Sequence, residues 1–467
     1  MKRLPLNKKF PDIPKPDEFR PIIVMSPIIK LLEARVLEKL QHYLTESLHR
    51  SQTGFVPGLD TFVNIHRALN QIRSGIKRKK RIFCLFLDFK SAYNTIPHKE
   101  LFEKLNCALS EKEIQLLKAI YTRLKIRLGE ESIRCNSGVA QGSMISPALF
   151  DIYAEELLWE LCNQGWDFQR VLAYADDHLI LCESVEELKR AIRLVGDWCS
   201  RSKIVLNPKK SGILEVTSRR SKQTLKYGDQ IEGIPVVQSY RYLGLLIDSK
   251  LTGDDHIVQM NRKINFLNYK LAPLLSKVSF DYRCNLWKVL VRPLYKPVLA
   301  LMAQNNITRV RNLEINLKKS FKMFTGLSKS TDDVVLGSLA SFDVAMLARY
   351  SEQTALTKWN QHCQRMELKT EKLIKQQTPI LPKSFIKFNN IQKTKCPACV
   401  SGARNSSNHL LIAHKLWVPS SLEMIEKLES QYPRNFKHEK RKDTLEKRDR
   451  VINFYLSKIL DHIRSNS

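Results

Sequence analysis

Two adjacent carboxylates stand at the tip of a predicted β-hairpin. Asp176 and Asp177 lie between two apolar runs in the segment AYADDHLIL, residues 173–181. At neutral pH these side chains repel each other, and burial adds a desolvation cost for each charge. Asp88 repeats the arrangement, because it ends the continuous apolar run of a predicted buried strand. Two such strands can meet in one sheet, which predicts a site of three carboxylates.

Oxygen ligands in this arrangement suit a hard divalent cation. Mg²⁺ prefers carboxylates and shares phosphate oxygens with a bound substrate. Two ions about 4 Å apart can activate a 3′-hydroxyl and stabilise a leaving pyrophosphate. The alternative is a solvent-exposed Asp-Asp turn, which is common in hairpins. The apolar flanks of the pair and the second strand ending at Asp88 favour the metal site.

The chain is long and strongly basic. Its 467 residues exceed what one hydrophobic core usually holds, which predicts several subdomains. The net charge of +30 indicates a polyanionic partner, with nucleic acid favoured over an anionic membrane. A basic surface that only solubilises the protein is the alternative. No run of about 18 apolar residues occurs, so we expect no membrane span. The cysteines are scattered, which is typical of reduced intracellular thiols.

Hydrophobic periodicity predicts the elements that position these groups. The hairpin is followed by an amphipathic helix with a cap at Ser184. The other predicted elements, in chain order, are a basic arm over 1–17, helices over 26–44, 61–76 and 142–162, one strand over 240–248, and a basic helical region from about 262 to 375.

Seven blocks in this order resemble the motifs of reverse transcriptases, and within them those of the non-LTR retrotransposon type. Any one block is weak evidence, but the ordered set is specific and covers about half the chain. The blocks are EFRPIIVMSPIIKLLE (18–33), SQTGFVPGLDT (51–61), FLDFKSAYNTIPH (86–98), GVAQGSMISPALFDIYAEEL (138–157), AYADDHLIL (173–181), LNPKKSGIL (206–214) and YRYLGLLID (240–248).

The resemblance implies a role for each matching position. Asp88, Asp176 and Asp177 would hold two Mg²⁺ ions, for which Mn²⁺ is an alternative, and the backbone carbonyl of Phe89 would add a ligand. Tyr93 stands where the family places an aromatic gate, whose ring would clash with a ribose 2′-hydroxyl and select deoxynucleotides. A core tyrosine is the alternative for Tyr93.

Four further positions are implied to contact the substrates. Gln141 and Gly142 would lie against the incoming nucleotide and the template strand. Lys210, in preference to its neighbour Lys209, would protonate or screen the departing pyrophosphate, and a solvent-exposed lysine without this role is the alternative. Arg20 would grip the triphosphate as a planar donor. His178 departs from the family, which usually has an apolar residue after the aspartate pair.

The implied fold is α+β, a right-hand polymerase followed by a small zinc-binding segment. After the arm over 1–17, fingers and a palm with an antiparallel sheet would span 18–262. A helical thumb would span 263–383. The zinc-binding segment and a basic tail would fill 384–467.

A cysteine and histidine cluster near the end of the chain predicts the zinc site. Cys396, Cys399, His409 and His414 follow the spacing C-x2-C-x9-H-x4-H. Two thiolates and two imidazoles can complete a tetrahedral Zn²⁺ shell. A chance cysteine pair near surface histidines is the alternative. The resemblance adds that site-specific retrotransposon proteins carry a similar knuckle after the thumb.

We therefore expect an RNA-directed DNA polymerase that extends a primer 3′-hydroxyl with dNTPs. Its partners would be an RNA template and a DNA or RNA primer, with no membrane. An intron-type maturase, which binds and folds RNA with the same fold, is the alternative, and RNA synthesis is a third possibility that Tyr93 disfavours. The family suggests a nuclear location, with a mitochondrial one as the alternative. The sequence leaves the oligomeric state open.

Overall fold

The computed structural model describes residues 2–7, 19–122, 125–128, 131–134, 137–218, 221–275, 277–303, 307–340 and 342–375. These ranges belong to the first of two compact units, which cover residues 1–377 and 378–467. The predicted zinc ligands Cys396, Cys399, His409 and His414 lie outside the described residues. Within the described residues, no helix is both long and apolar enough to cross a membrane.

Helices and short strands alternate through the first two thirds of this unit, and helices alone follow. The strands are β1 (Lys2–Asn7), β2 (Phe19–Val24), β3 (Ile82–Leu87), β4 (Phe89–Lys90), β5 (Lys125–Leu128), β6 (Glu131–Arg134), β7 (Val171–Tyr174), β8 (Asp177–Cys182), β9 (Val205–Leu206), β10 (Gly212–Val216), β11 (Gln230–Ile231), β12 (Ile234–Pro235), β13 (Ser239–Tyr242) and β14 (Leu245–Asp248). The helices are α1 (Pro27–Glu46), α2 (Thr61–Lys77), α3 (Ala92–Thr95), α4 (His98–Lys104), α5 (Glu111–Thr122), α6 (Ser146–Asn163), α7 (Val185–Ser202), α8 (Asp254–Leu275), α9 (Phe280–Leu290), α10 (Arg292–Met302), α11 (Ile307–Thr325), α12 (Asp333–Leu339) and α13 (Val344–Lys375).

A four-stranded antiparallel sheet in the order β10-β3-β8-β7 forms the centre. All six residues of β3 are buried, as its unbroken apolar run predicts. Alternate residues of β3 enter two different cores, one that includes residues of α6 and α7 and one that includes residues of α2 and the later helices. Because both faces are covered, neither face needs polar residues.

A second sheet uses the N-terminal residues. Its order is β2-β1-β5-β6, and β1 pairs with β2 along its whole length. The predicted arm over 1–17 thus contributes a strand at Lys2–Asn7. The helical region begins at Asp254, ahead of the predicted start near 262.

Two predictions about local structure hold, one of them with a correction to its buried face. Ser184 caps α7 as predicted, because its hydroxyl accepts the Glu187 N–H at 3.0 Å. Helix α1 forms as predicted, but Ile28 and Leu31, two of the apolar residues whose helical spacing predicted it, are each 73% exposed. Its buried stripe is instead Glu33, Val36, Leu40 and Leu44, one turn or so apart.

The segment 240–248 is a hairpin and not the single strand that was predicted. Strands β13 and β14 pair with Tyr242 opposite Leu245. The two loop residues, Leu243 and Gly244, have φ values of 47° and 87°. Positive φ at both central positions is typical of a tight hairpin turn, and glycine reaches it without strain.

Candidate active site

Strand register brings the three predicted carboxylates to one end of the central sheet. Leu87 pairs with His178, so the next step along each strand sets Asp88 beside Asp177. Tyr174 pairs with Asp177, which leaves Ala175 and Asp176 as a two-residue hairpin loop. Paired residues on adjacent strands lie about 5 Å apart. The predicted hairpin and the predicted meeting of the two strands are therefore confirmed.

Electrostatics support the proximity of these groups. Loss of solvent around Asp177, together with the charges of Asp176 and Asp88, raises the pKa of its carboxyl to about 7. The side chain of Asp177 still reaches solvent, whereas Asp88 and Asp176 are half-buried. A cluster of carboxylates that resists full ionisation in this way is one that a cation would stabilise.

A fourth carboxylate lies beneath the hairpin. Asp151, in α6, is completely buried, and neither of its carboxylate oxygens has a hydrogen-bond partner among the described residues. Burial raises the pKa of Asp151 well above its ordinary value, and the charges of Asp176 and Glu155 act in the same direction. A buried, unpaired charge is costly, so these surroundings favour the protonated form of Asp151.

Asp88 is held by the turn that precedes β10. Its backbone N–H donates to the Ser211 hydroxyl at 3.1 Å, and the Asn207 side-chain amide donates to its Oδ2 at 2.9 Å. The Asn207 N–H also donates to the Asp88 carbonyl at 2.8 Å. These bonds fix the orientation of the carboxylate, and they tie the segment LNPKKSGIL to the site.

Gln52 clamps the hairpin loop from the other side. Its side-chain oxygen accepts the Ala175 N–H at 2.9 Å, and its amide nitrogen donates to the Ala175 carbonyl at 3.2 Å. The Thr53 N–H donates to the Ala173 carbonyl at 3.0 Å. Gly54 packs so closely that an added Cβ would lie 2.2 Å from the Ala175 nitrogen. Ala175 has a φ of 53°, a strained value for a residue other than glycine, and the clamp helps to hold it.

The predicted nucleotide-contacting turn, Gln141–Met144, is anchored by Glu33. Ser143 Oγ donates to Glu33 Oε1 at 2.6 Å, and the Met144 N–H donates to Glu33 Oε2 at 3.3 Å. Burial raises the pKa of Glu33, while the bond from Ser143 acts against this shift. Gly142 is exposed with a φ of 109°, a backbone conformation that favours glycine. The turn therefore presents backbone to solvent on a rigid base.

Tyr93 lies beside the same turn. Its ring stacks on Phe150 with centroids 4.9 Å apart and planes 14° from parallel. Its carbonyl accepts the Val139 N–H at 2.6 Å, while Asn94, the next residue, accepts a bond from the Gln141 side chain at 3.2 Å. Tyr93 is only half-buried, so part of the ring remains open to solvent.

The other predicted residues differ in how the structure places them. Lys210 is exposed in the turn that holds Asp88, and its carbonyl accepts the Tyr240 hydroxyl at 2.8 Å. Phe89 is buried in β4, which pairs with β9. Arg20 lies in β2, and its side chain is outside the described part of the chain.

His178 is a buried, neutral component of the site. Its ring packs edge-on against Phe89 at a centroid distance of 5.3 Å. Burial lowers the pKa of His178 to about 4. Its Nδ1 lies 3.1 Å from the Asp176 carbonyl, so Nδ1 carries the proton and donates. The imidazole therefore braces the hairpin loop by a hydrogen bond.

The carboxylate oxygens of the site suit a divalent cation, although the side chains do not surround a position for one. In the described part of the chain, no group of three or more His, Cys, Asp or Glu side chains is arranged to hold a metal ion. The carboxylates of Asp88, Asp176 and Asp177 are nevertheless hard oxygen donors, and the charges of Asp88 and Asp176 act on Asp177. Chemically, the three residues fit Mg²⁺.

Sequence reasoning missed the residues that hold the site in place. Gln52, Asn207 and Ser211 fall inside the blocks SQTGFVPGLDT and LNPKKSGIL, but those blocks did not predict the hydrogen bonds that these residues make. Two others left a signal. Glu33 falls on the helical stripe of Val36 and Leu40, and Asp151 interrupts the apolar helix α6, so each is a polar residue at a core position.

Comparisons with known proteins agree with the geometry. Residues 13–247 match the family model described as reverse transcriptase (RNA-dependent DNA polymerase). The chain is 24% identical, over 64% of its length, to the RNA-directed DNA polymerase from mobile element jockey of Drosophila funebris, and it covers 35% of that protein. It is 28% identical, over 52% of its length, to the Pol polyprotein of type-1 retrotransposable element R2 of Popillia japonica, and it covers 37% of that protein.

The chain thus spans about a third of the length of these curated relatives. Among solved structures, an apo telomerase of Candida tropicalis aligns at 11% identity with a TM-score of 0.42. That alignment covers 77% of this chain and 66% of the telomerase chain.

Proposed function

Because the chain belongs to the reverse transcriptase family, we propose that it is an RNA-directed DNA polymerase that extends a primer on an RNA template. The observation that carries the proposal is the convergence of Asp88, Asp176 and Asp177 at one end of the central sheet. The relatives from jockey and R2 support a non-LTR retroelement as the source of the chain. We assign the central sheet to a palm, the segments around β1, β2 and α1 to fingers, and α8–α13 to a thumb.

The reaction is a phosphoryl transfer. The primer 3′-oxygen loses its proton and forms a bond to the α-phosphorus of a dNTP. The bond between that phosphorus and the oxygen that bridges to the β-phosphate breaks, and pyrophosphate leaves. Divalent cations, when bound by Asp88, Asp176 and Asp177, would make the hydroxyl more acidic and neutralise charge on the leaving group. The chain itself supplies orientation, because Asn207 and Gln52 fix the segments that carry these carboxylates.

We assign substrate selection to Tyr93 and to the turn at Gln141 and Gly142. The turn at Gln141 and Gly142, held by Glu33, would place its backbone against the nucleotide and the template. Tyr93 is held at this turn by its stacking on Phe150, so its open edge would meet a ribose 2′-hydroxyl. We assign Lys210 to the pyrophosphate, because its exposed side chain leaves the turn that holds Asp88. Arg20 remains proposed as a triphosphate ligand.

We further propose that Cys396, Cys399, His409 and His414 bind one Zn²⁺. The support is the spacing and chemistry of the four ligands in the sequence. A short, irregular segment buries too little apolar surface to fold alone, so metal binding would contribute much of its folding free energy.

Primer extension on poly(rA)/oligo(dT) with Mg²⁺ and dTTP tests the polymerase assignment. The native protein should extend the primer, and Asp177→Asn should reduce the rate by about 10³-fold or more, because loss of a metal ligand removes transition-state stabilisation. Template–primer binding should change little. Asp197→Asn, at an exposed position on α7, is the matched control. Extension by Asp177→Asn at the rate of this control would refute the metal-site assignment, and RNA binding without any extension would favour the maturase alternative.

A further inference from the structure

A cavity of about 720 Å³ opens among α8, α9 and the end of α11. It contains none of the residues of the carboxylate site. Its lining combines apolar side chains with the aromatic rings of Tyr269 and Phe324 and with three polar side chains, those of Asn265, Asn268 and Arg283. Gly326 lies at one edge. Such a mixture of an apolar wall and a few polar groups is characteristic of ligand sites.

The amide of Asn268 is buried in this wall without a partner. The residue is 5% exposed, and neither its Oδ1 nor its Nδ2 has a hydrogen-bond partner among the described residues. A buried amide without hydrogen bonds costs folding free energy, whereas an apolar residue of the same shape would not. Its adjacent donor and acceptor therefore indicate a ligand with a complementary edge.

Arg283 adds a cation to the same cavity. Its Nε is also buried without a hydrogen-bond partner in the described part of the chain. Gly326 makes room for the guanidinium, because a Cβ at that position would lie 2.7 Å from Arg283 Nη1. The glycine has a φ of 78°, so both its conformation and its lack of a side chain suit the position.

The rim supplies a flat ring and positive charge. Tyr269 is 78% exposed at the mouth, although a tyrosine usually buries its ring. An adjoining cavity shares Asn265 and Met323 with the first and is lined by lysines that include the exposed Lys319 and Lys329. An aromatic platform beside a basic groove is the arrangement that proteins use for single-stranded nucleic acid.

We propose that this cavity binds one unpaired nucleobase of a single-stranded nucleic acid. The base stacks on Tyr269, its donor and acceptor edge pairs with the Asn268 amide, and the lysine groove carries the flanking phosphates. Every base offers a donor next to an acceptor on one edge, so the site selects for an unpaired base and not for a particular sequence. A base inside a duplex does not fit, because its Watson–Crick edge is already paired and its faces are stacked on neighbouring bases.

Fluorescence anisotropy with a short labelled oligo(A) RNA tests the proposal. This binding measurement does not depend on polymerase activity. Asn268→Leu and Tyr269→Ala should each weaken binding by about tenfold, within the range found for loss of base stacking. Neither should weaken binding of the same strand without its bases. Tyr350→Ala, at a tyrosine of α13 that is 64% exposed, should leave both affinities unchanged. A DNA strand of the same length, measured in parallel, reports which sugar the site accepts.

Thermal unfolding separates a binding defect from a folding defect. Asn268→Leu should melt at or above the native temperature, because it removes a buried, unpaired amide. If that variant fails to fold, Tyr269→Ala still decides the question, since its side chain lies on the surface. The proposal is overturned if Tyr269→Ala weakens the normal and the abasic strand equally, or weakens neither.

Discussion

Gly54→Ala should displace the hairpin that carries Asp176 and Asp177. An alanine Cβ at this position would lie 2.2 Å from the Ala175 nitrogen and 2.9 Å from the Tyr174 carbonyl carbon, whereas ordinary contact begins at 3.4 Å. The backbone must therefore separate by about 1.2 Å. Both neighbours are backbone atoms, so no side chain can rotate away to relieve the contact.

The displacement acts directly on the catalytic geometry that we propose. Gln52 and Thr53 bond the same loop, so the shift must move either the clamp or the hairpin. A misplacement of about 1 Å can cost about 10²-fold in rate, and overpacking of this kind costs about 1–3 kcal/mol of stability. We expect single-turnover primer extension to slow by about that factor, with little change in the affinity for template–primer.

Gly196→Ala is the matched control. Gly196 lies in α7, and a Cβ there would meet no atom within 4 Å. The same chemical change should raise stability by up to about 1 kcal/mol, because alanine favours a helix interior over glycine, and extension should be unaffected. Native-like extension by a fully folded Gly54→Ala variant would refute the proposed coupling between this segment and the carboxylates.

Three further perturbations test other parts of the account. Tyr93→Val should raise the efficiency of rNTP use relative to dNTP use, and an unchanged ratio would make Tyr93 a packing residue. Burial raises the pKa of Glu155 to about 7 from 4.5, so the native state binds this proton more tightly than the unfolded chain, and stability should fall as pH rises between these values. Glu155→Gln should reduce the slope of that part of the pH profile in urea melts, although Asp177, Asp151 and Glu33, whose pKa values are also raised, keep part of it. An unchanged slope would contradict the assignment. Cys396→Ser should abolish zinc binding and make residues 384–420 more sensitive to protease. Cys107→Ser, at an exposed free cysteine, should change neither property. Native protein that is prepared without chelator and contains no zinc would exclude the site.

The sequence determined the elements whose cause is local. The apolar run of β3, the hairpin around Asp176 and Asp177, and the Ser184 cap of α7 follow from periodicity and from the chemistry of single residues. The family relationship was also visible in the sequence, because ordered blocks such as AYADDHLIL keep their spacing. The turn at Leu243 and Gly244 was not predicted. It depends on positive φ at both residues, and the apolar pattern of 240–248 is equally that of one continuous strand.

Tertiary structure alone decided how the site is supported. Gln52 reaches Ala175, and Asn207 reaches Asp88, across more than 100 residues of chain. Such contacts depend on which strands are neighbours in the sheet, and periodicity within one segment carries no information about that order. Burial also depends on tertiary structure. Ile28 fits the helical stripe of α1 but is exposed, whereas Glu33 is buried because the Ser143 hydroxyl donates a hydrogen bond to its carboxylate. A carboxylate enters a core when a distant donor satisfies it, and only the folded chain brings that donor there.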